Sequence, residues 1–161
     1  MTLLELNTSE KEEAQKALLA CCGSSRWSRQ MTARRPFDSV PTVHAAAHDI
    51  WWSLEESDWL EAFACHPKIG EVKPVSDWSS QEQKGMSAAT ADTAAAIAAM
   101  NGEYQKRFGY IFIVCATGKS STEMRDLLEQ RLTNDPKDEL RIAAAEQLKI
   151  THLRLDKLLQ A

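Results

Sequence analysis

The stretch that decides the fold covers residues 87–108 and reads SAATADTAAAIAAMNGEYQKRF, with alanine recurring throughout. Alanine is the best helix former and a poor strand former, so this stretch predicts a long helix that Gly109 ends. Only residues 110–115, YIFIVC, are strand-like, and one isolated strand cannot make a sheet. We therefore predict an all-α, compact single-domain helical bundle of about seven to nine helices over residues 1–161.

Further helices extend outward from this stretch, and short loops join most of them. Ser9 and Glu12 have the spacing of a capping box, which predicts that the first helix begins there, and Gly23 suits its end. Residues 65–78 hold two prolines, one glycine and no helical period, so they predict a long loop of the kind that is usually functional. Other helices are predicted near Trp27, Pro41, Ser57, Ser79, Ser120 and Asn134.

Composition excludes several classes of function. The net charge of −4 removes the electrostatic basis for non-specific binding to nucleic acid or to anionic membranes. No apolar run approaches the roughly 20 residues that span a bilayer, and the N-terminus lacks a basic signal region. The lack of a Cys-x-x-Cys pair argues against a zinc-knuckle or thioredoxin-like site. We predict a soluble intracellular protein in which Cys21, Cys22, Cys65 and Cys115 are reduced thiols, because a chain of this length does not need disulfide bonds.

His66 is the first candidate for chemistry. It precedes Pro67, which restricts its backbone, and an imidazole can donate and accept a proton near neutral pH. On its own, a lone histidine here is equally compatible with a capping or surface role.

Two further segments and one arginine are candidates for ligand binding. Residues 79–83, SSQEQ, would present free amides at a helix N-terminus to an anionic or amide-rich ligand, although Ser79 and Glu82 also have simple capping-box spacing. Residues 101–115 pass from a charged helix end through Gly109 into an apolar extended run, whose backbone polar groups a bound heterocycle could satisfy, the alternative being core packing. Arg154 could grip a carboxylate through two hydrogen bonds, or serve as a surface ion-pair residue.

A metal site is the weakest of the alternatives. His44 and His48 are four residues apart on a predicted helix, a spacing that can bind metal. The pair lacks the glutamate of a zincin motif and an obvious third ligand, and His152 is expected on the surface of the last helix.

Taken together and in this order, the motifs resemble the 2-oxo-4-hydroxy-4-carboxy-5-ureidoimidazoline (OHCU) decarboxylase family, which completes the breakdown of urate to (S)-allantoin. The combination is most similar to the decarboxylase half of plant bifunctional allantoin synthases, which also carry a transthyretin-like hydroxyisourate hydrolase domain. The matching segments are residues 24–27, 35–37, 66–70, 79–83, 108–115, 118–119, 131–134 and 154–155.

The resemblance implies an all-α homodimeric carboxy-lyase without metal or organic cofactor, peroxisomal in eukaryotes although a cytosolic location is possible, and coupled to a hydroxyisourate hydrolase. It places catalysis on His66 and implies a small cyclic ureide as substrate. As a mechanistic hypothesis, we assign Glu82 to hold His66 in orientation. The substrate contacts it implies are Pro67, Ser79, Ser80, Gln81, Glu82, Gln83, Phe112, Ile113, Val114, Cys115, Ala116 and Arg154. Two other functions stay open from the residues alone: a helical interaction module that tolerates loss of His66, and a thiol enzyme using Cys65 or Cys115.

Overall fold

The computed structural model describes residues 1–68 and 91–160, and eight helices lie within these two ranges. They are α1 (Leu3–Thr8), α2 (Lys11–Cys22), α3 (Ser25–Ala33), α4 (Val40–Ser53), α5 (Glu56–Phe63), α6 (Ala91–Phe108), α7 (Ser121–Arg131) and α8 (Pro136–Leu158). The described ranges contain no strand, so the all-α prediction is confirmed. The helix start expected near Ser79 lies outside the described residues.

Local signals explain most helix ends. Gly23 and Gly109 adopt the positive φ angles of 91° and 86° that favour glycine, and each follows the last residue of a helix. Ser120 caps α7 by accepting a hydrogen bond from the Glu123 amide.

The predicted capping box at Ser9 is wrong. The capping box instead joins Thr2 and Glu5 and begins α1, a helix that the sequence pattern did not predict. Ser9 is the C-cap residue of α1, and α2 begins at Lys11 without a side-chain cap.

The described residues pack as two compact units. The first comprises Met1–Ala62 and Gln147–Ala161. Its core is rich in tryptophan: the indole of Trp27 donates to the carbonyl of Ala47 at 3.2 Å, and that of Trp59 donates to the carbonyl of Trp51 at 3.0 Å. These bonds satisfy the polar edge of each buried ring, which lets large apolar surfaces pack between α3, α4 and α5.

The second unit comprises Phe63–Glu146, and the division between the units falls within α8. Here α6 packs on α7 around a buried cluster. The members of that cluster are Ile97, Tyr104, Phe112, Val114, Ala116, Met124 and Leu128. The strand-like run of the sequence is therefore core of this unit.

All four cysteines are free thiols, as predicted. Cys65 is exposed, whereas Cys21, Cys22 and Cys115 are buried. Burial raises the pKa of both Cys21 and Cys22 to about 12, so these two thiols are protonated at neutral pH. None of the helices in the described part of the chain combines the length and apolarity needed to cross a bilayer.

Candidate active site

The segment after α6 is the most unusual backbone in the second unit. Residues 111–116 adopt neither helix nor strand, yet residues 112–116 are buried. Buried backbone without a helical or sheet partner must satisfy its amides and carbonyls elsewhere. We refer to residues 112–116 as the buried segment.

Charged side chains supply those partners. Arg131 donates from Nη1 to the carbonyl of Ile113 at 2.5 Å. The amide of Cys115 donates to Glu146 Oε1 at 3.2 Å, and the carbonyl of Cys115 accepts from Lys119 Nζ at 2.8 Å. Hydrogen bonds to ionised groups are stronger than neutral ones, so three charges fix the main chain where a sheet would otherwise be needed.

Arg131 is itself held by a buried acid. Glu139 is fully buried and accepts from Arg131 Nε at 2.9 Å and from Nη2 at 2.6 Å. It also accepts from the Tyr104 hydroxyl and from Asn134 Nδ2. Burial is the main cause that raises the pKa of Tyr104, and the Arg131 charge opposes it, so this phenol stays a donor.

The guanidinium of Arg131 also covers aromatic surface. It lies 4.4 Å from the ring centroid of Phe112, within the range of a cation–π contact. One arginine therefore holds both a carbonyl and a side chain of the buried segment.

His66 lies just beyond the end of α5, in the same unit. Its amide donates to the carbonyl of Phe63 at 3.2 Å, its side chain is half-buried, and Pro67 after it is buried. The ring of Phe63 lies 5.3 Å from that of Tyr110, which precedes the buried segment. The second unit thus contains His66, Pro67 and all five predicted contacts of the buried segment.

Arg154 lies on α8 within the first unit. It is buried, with 7% of its surface exposed, so the surface ion-pair alternative is wrong. Its charge acts on the thiols of Cys21 and Cys22 by opposing the effect of burial on their pKa. Ser79, Ser80, Gln81, Glu82 and Gln83 lie outside the described residues.

The histidines of the first unit form a different cluster. His44 Nδ1 lies 2.6 Å from His152 Nδ1, and His44 Nε2 lies 2.7 Å from Asp156 Oδ1. His152 is half-buried and not on the surface as expected, while His48 lies next to Asp49. Within residues 1–68 and 91–160, no group of three or more histidine, cysteine and acidic side chains is arranged to hold a metal ion.

The sequence reasoning missed Glu139 and Glu146 and gave Arg131 no role. One signal was available: the two glutamates are seven residues apart, two helical turns, on the apolar stripe of the last helix. Acids on a buried helix face require partners, and Arg131 is the buried cation that this unit supplies to Glu139.

The described helices, with the half-buried His66 and the buried Arg131 and Arg154, define an all-α protein whose fold matches solved structures. A crystal structure of OHCU decarboxylase in the presence of (S)-allantoin matches with a TM-score of 0.81 and 38% identity, covering 94% of this chain and 99% of that one. A crystal structure of (S)-allantoin synthase matches in fold alone, with a TM-score of 0.75 and 18% identity over 98% of this chain and 54% of that one.

The sequence identifies the family. The profile of the OHCU decarboxylase family matches residues 7–156, and the chain belongs to this family. The chain is 42% identical to the Uric acid degradation bifunctional protein TTL of Arabidopsis thaliana over 86% of its own length, but spans only 45% of that relative. It is also 30% identical to the 2-oxo-4-hydroxy-4-carboxy-5-ureidoimidazoline decarboxylase of Amia calva, over 78% of this chain and 75% of that one.

Proposed function

We propose that this chain is a cofactor-independent carboxy-lyase that converts OHCU to (S)-allantoin and carbon dioxide in urate degradation, with residues 1–161 as its decarboxylase domain. The observation that carries the proposal is the family match over residues 7–156, together with the likeness in fold to an OHCU decarboxylase crystallised in the presence of (S)-allantoin. The substrate is accordingly a small cyclic ureide.

The reaction needs an acid but no external electron sink. The bond between the substrate ring carbon and its carboxylate breaks and carbon dioxide leaves. The electron pair forms a C=C bond to the ureido-bearing carbon while the C=N pair moves to the ring nitrogen, which takes up a proton. The hydroxyl then loses its proton and becomes the ring carbonyl as the ureido-bearing carbon takes up a proton. A proton must then arrive on one face, because the product is a single enantiomer. The protein's task is to hold the ring and to deliver that proton.

His66 is the proposed proton donor. Its position supports the role, since it follows the last turn of α5, is half-buried and is restricted by Pro67. An imidazole with a pKa near neutrality can give up one proton per turnover and recover it from water. Glu82 is proposed to orient His66 and to accept hydrogen bonds from the ureido or ring N–H groups.

The remaining proposed contacts bind the polar edges of the cyclic ureide. Pro67 and the buried segment lie in the same unit as His66, and the fixed main chain of that segment supports its role as a template for a planar ring. Arg154 is proposed to anchor an anionic or carbonyl oxygen through its planar fork. The proposed substrate contacts also include four residues that lie outside the described residues: Ser79, Ser80, Gln81 and Gln83.

The assembly and setting of the protein are also proposals. We propose a homodimer, as the family resemblance implies. We also propose functional coupling to a hydroxyisourate hydrolase, because the Arabidopsis relative is a bifunctional uric acid degradation protein longer than this chain. The family resemblance supports a peroxisomal location. Light scattering coupled to size exclusion should give a mass near twice 18.0 kDa, and a monomer at micromolar concentration would contradict the dimer.

Circular dichroism tests the activity directly. Substrate generated freshly from urate is followed at a wavelength sensitive to (S)-allantoin, with and without the protein. We expect immediate growth of the signal of one enantiomer, unchanged by a strong chelator and by alkylation of the exposed Cys65. No acceleration over the spontaneous reaction would contradict the proposed function, and inactivation by alkylation would favour the thiol enzyme.

A further inference from the structure

The buried segment is positioned by side chains from outside it. Its main chain has no sheet partner in the described residues, yet the Ile113 carbonyl and the Cys115 amide both meet buried charged groups. Arg131 has 6% and Glu146 8% of its surface exposed, so water competes little for either hydrogen bond.

We propose that Glu146, acting with Arg131, is a positioning residue that fixes the register of the buried segment for ligand binding. This inference rests on the proposed function, because the segment is assigned to the substrate there. Glu146 holds the Cys115 amide from α8, and Arg131 holds the Ile113 carbonyl from α7. Two bonds to groups two residues apart prevent the chain between them from sliding or rotating.

The role of Glu146 differs from that of Glu139. Glu139 neutralises Arg131 and also accepts from the Tyr104 hydroxyl, so its contacts are those of a stability network. Glu146 bonds the main chain of the segment itself, through an acceptor that does not require charge. Replacement of Glu146 should therefore weaken ligand binding by more than its effect on the stability of the fold accounts for.

The test uses three variants of the full chain and one matched control. Glu146→Leu removes the acceptor, Glu146→Gln keeps an oxygen able to accept from the Cys115 amide, and Glu146→Asp retracts the carboxylate by one methylene. Gln147→Leu is the control, since Gln147 is the adjacent fully buried residue and bonds the Cys22 carbonyl and the Thr151 hydroxyl. The probe is (S)-allantoin for binding, and freshly generated OHCU for kcat and KM.

We expect Glu146→Leu to raise KM and the (S)-allantoin Kd about 10-fold, the loss typical of one hydrogen bond to a charged group, with kcat changed less. Glu146→Gln should restore most of the affinity, and Gln147→Leu should lower Tm while leaving KM unchanged. Unchanged KM and Kd in Glu146→Leu would overturn the proposal, as would an equal rise of KM in Gln147→Leu. If the leucine variant fails to fold, Glu146→Asp decides: a raised KM supports the role and an unchanged KM overturns it.

A backbone measurement separates this inference from the proposed function. In ¹⁵N-labelled protein, the Cys115 amide should shift and exchange faster in Glu146→Leu but not in Glu146→Gln, since only leucine lacks the acceptor. If the wild type fails to produce (S)-allantoin, the proposed function is wrong, and this measurement still decides whether Glu146 fixes the segment. An unperturbed Cys115 amide in Glu146→Leu would overturn the positioning role.

Discussion

The two compact units each bury an arginine, but with different neighbours. In the second unit, Arg131 lies against the fully buried carboxylate of Glu139, with several nitrogen–oxygen contacts near hydrogen-bond length. In the first unit, the charge of Arg154 acts on Cys21 and Cys22, thiols that burial keeps protonated and therefore uncharged. The two arginines are almost equally buried, at 6% and 7% exposure.

The difference teaches how to separate a structural charge from a functional one. Glu139 neutralises the charge of Arg131. The Arg131 guanidinium also donates a hydrogen bond to the Ile113 carbonyl and lies over the Phe112 ring. Arg154 is proposed to attract the oxygen of a ligand, and its charge also acts on Cys21 and Cys22, whose thiols burial keeps protonated. We expect loss of Arg131 to affect mainly stability, because Glu139 would stay buried without its cation, and loss of Arg154 to affect mainly activity, because Arg154 is proposed to bind the substrate.

Removing Arg131 should reduce the stability of the protein strongly. Arg131→Met should lower the free energy of unfolding by about 3–5 kcal/mol, because Glu139 stays buried without its cation. Urea unfolding followed by circular dichroism measures the change. The double variant Arg131→Met/Glu139→Leu is the control and should be more stable than the single variant, since it removes the uncompensated charge. A loss below about 1 kcal/mol in the single variant would contradict the structural role.

Arg154→Lys should reduce kcat/KM by roughly 10- to 150-fold, equivalent to about 1.5–3 kcal/mol for one charge-assisted hydrogen bond. Lysine keeps the charge but loses the planar two-donor fork. Steady-state kinetics measures the loss, and Arg131→Lys gives the contrast, with a larger drop in Tm expected there. Wild-type kinetics in Arg154→Lys would show that its guanidinium does not bind the substrate.

The smallest effect concerns pH and the histidine cluster of the first unit. Burial, reinforced by His44 and His48 and opposed by Asp156, lowers the pKa of His152 below 6.5. On acidification, His152 therefore binds a proton in the unfolded chain at a higher pH than in the folded chain. The stability that neutral His152 contributes is complete above about pH 6.5 and is lost as the pH falls through the folded pKa. The facing Nδ1 atoms of His44 and His152 lie 2.6 Å apart, a hydrogen-bond distance.

The pH effect is measured as the change in Tm between about pH 7.5 and pH 5.5. We expect His152→Gln to lose less Tm on acidification than the wild type does. His48→Gln gives the comparison: His48 is a smaller cause of the lowered His152 pKa than burial and His44, so this variant should keep most of the wild-type loss of Tm. An equal loss of Tm in the wild type and in His152→Gln would contradict this role.

Much of the fold could be predicted from sequence because its signals are local. Alanine content, Gly23, Gly109 and the Ser120 cap act within one or two turns, and the structure confirms each of them. The Ser9 capping box was wrong for a physical reason: Thr2 offers the same motif earlier, and the short α1 that it begins leaves Ser9 at a C-terminus.

The site was harder to predict from the sequence than the fold, because its contacts join residues far apart in the chain. Glu146 meets Cys115 across 31 positions, and His152 meets His44 across 108, distances over which no spacing rule operates. His66 was singled out by its place before Pro67, and residues 112–116 through family resemblance. The charges that hold the segment can be identified only once α7 and α8 are packed. A strand-like run was buried without a sheet because charged side chains replaced the missing partner strand.

His66→Asn tests the central claim most directly. Wild type and variant are compared at equal concentration, with the rate and the sign of the circular dichroism of allantoin recorded from freshly generated substrate. We predict a fall in kcat of about 10²- to 10⁴-fold, the usual contribution of a general acid, with an unchanged Tm and a product that loses its enantiomeric excess. A variant that retains the full rate and still makes one enantiomer would show that His66 is not the proton donor.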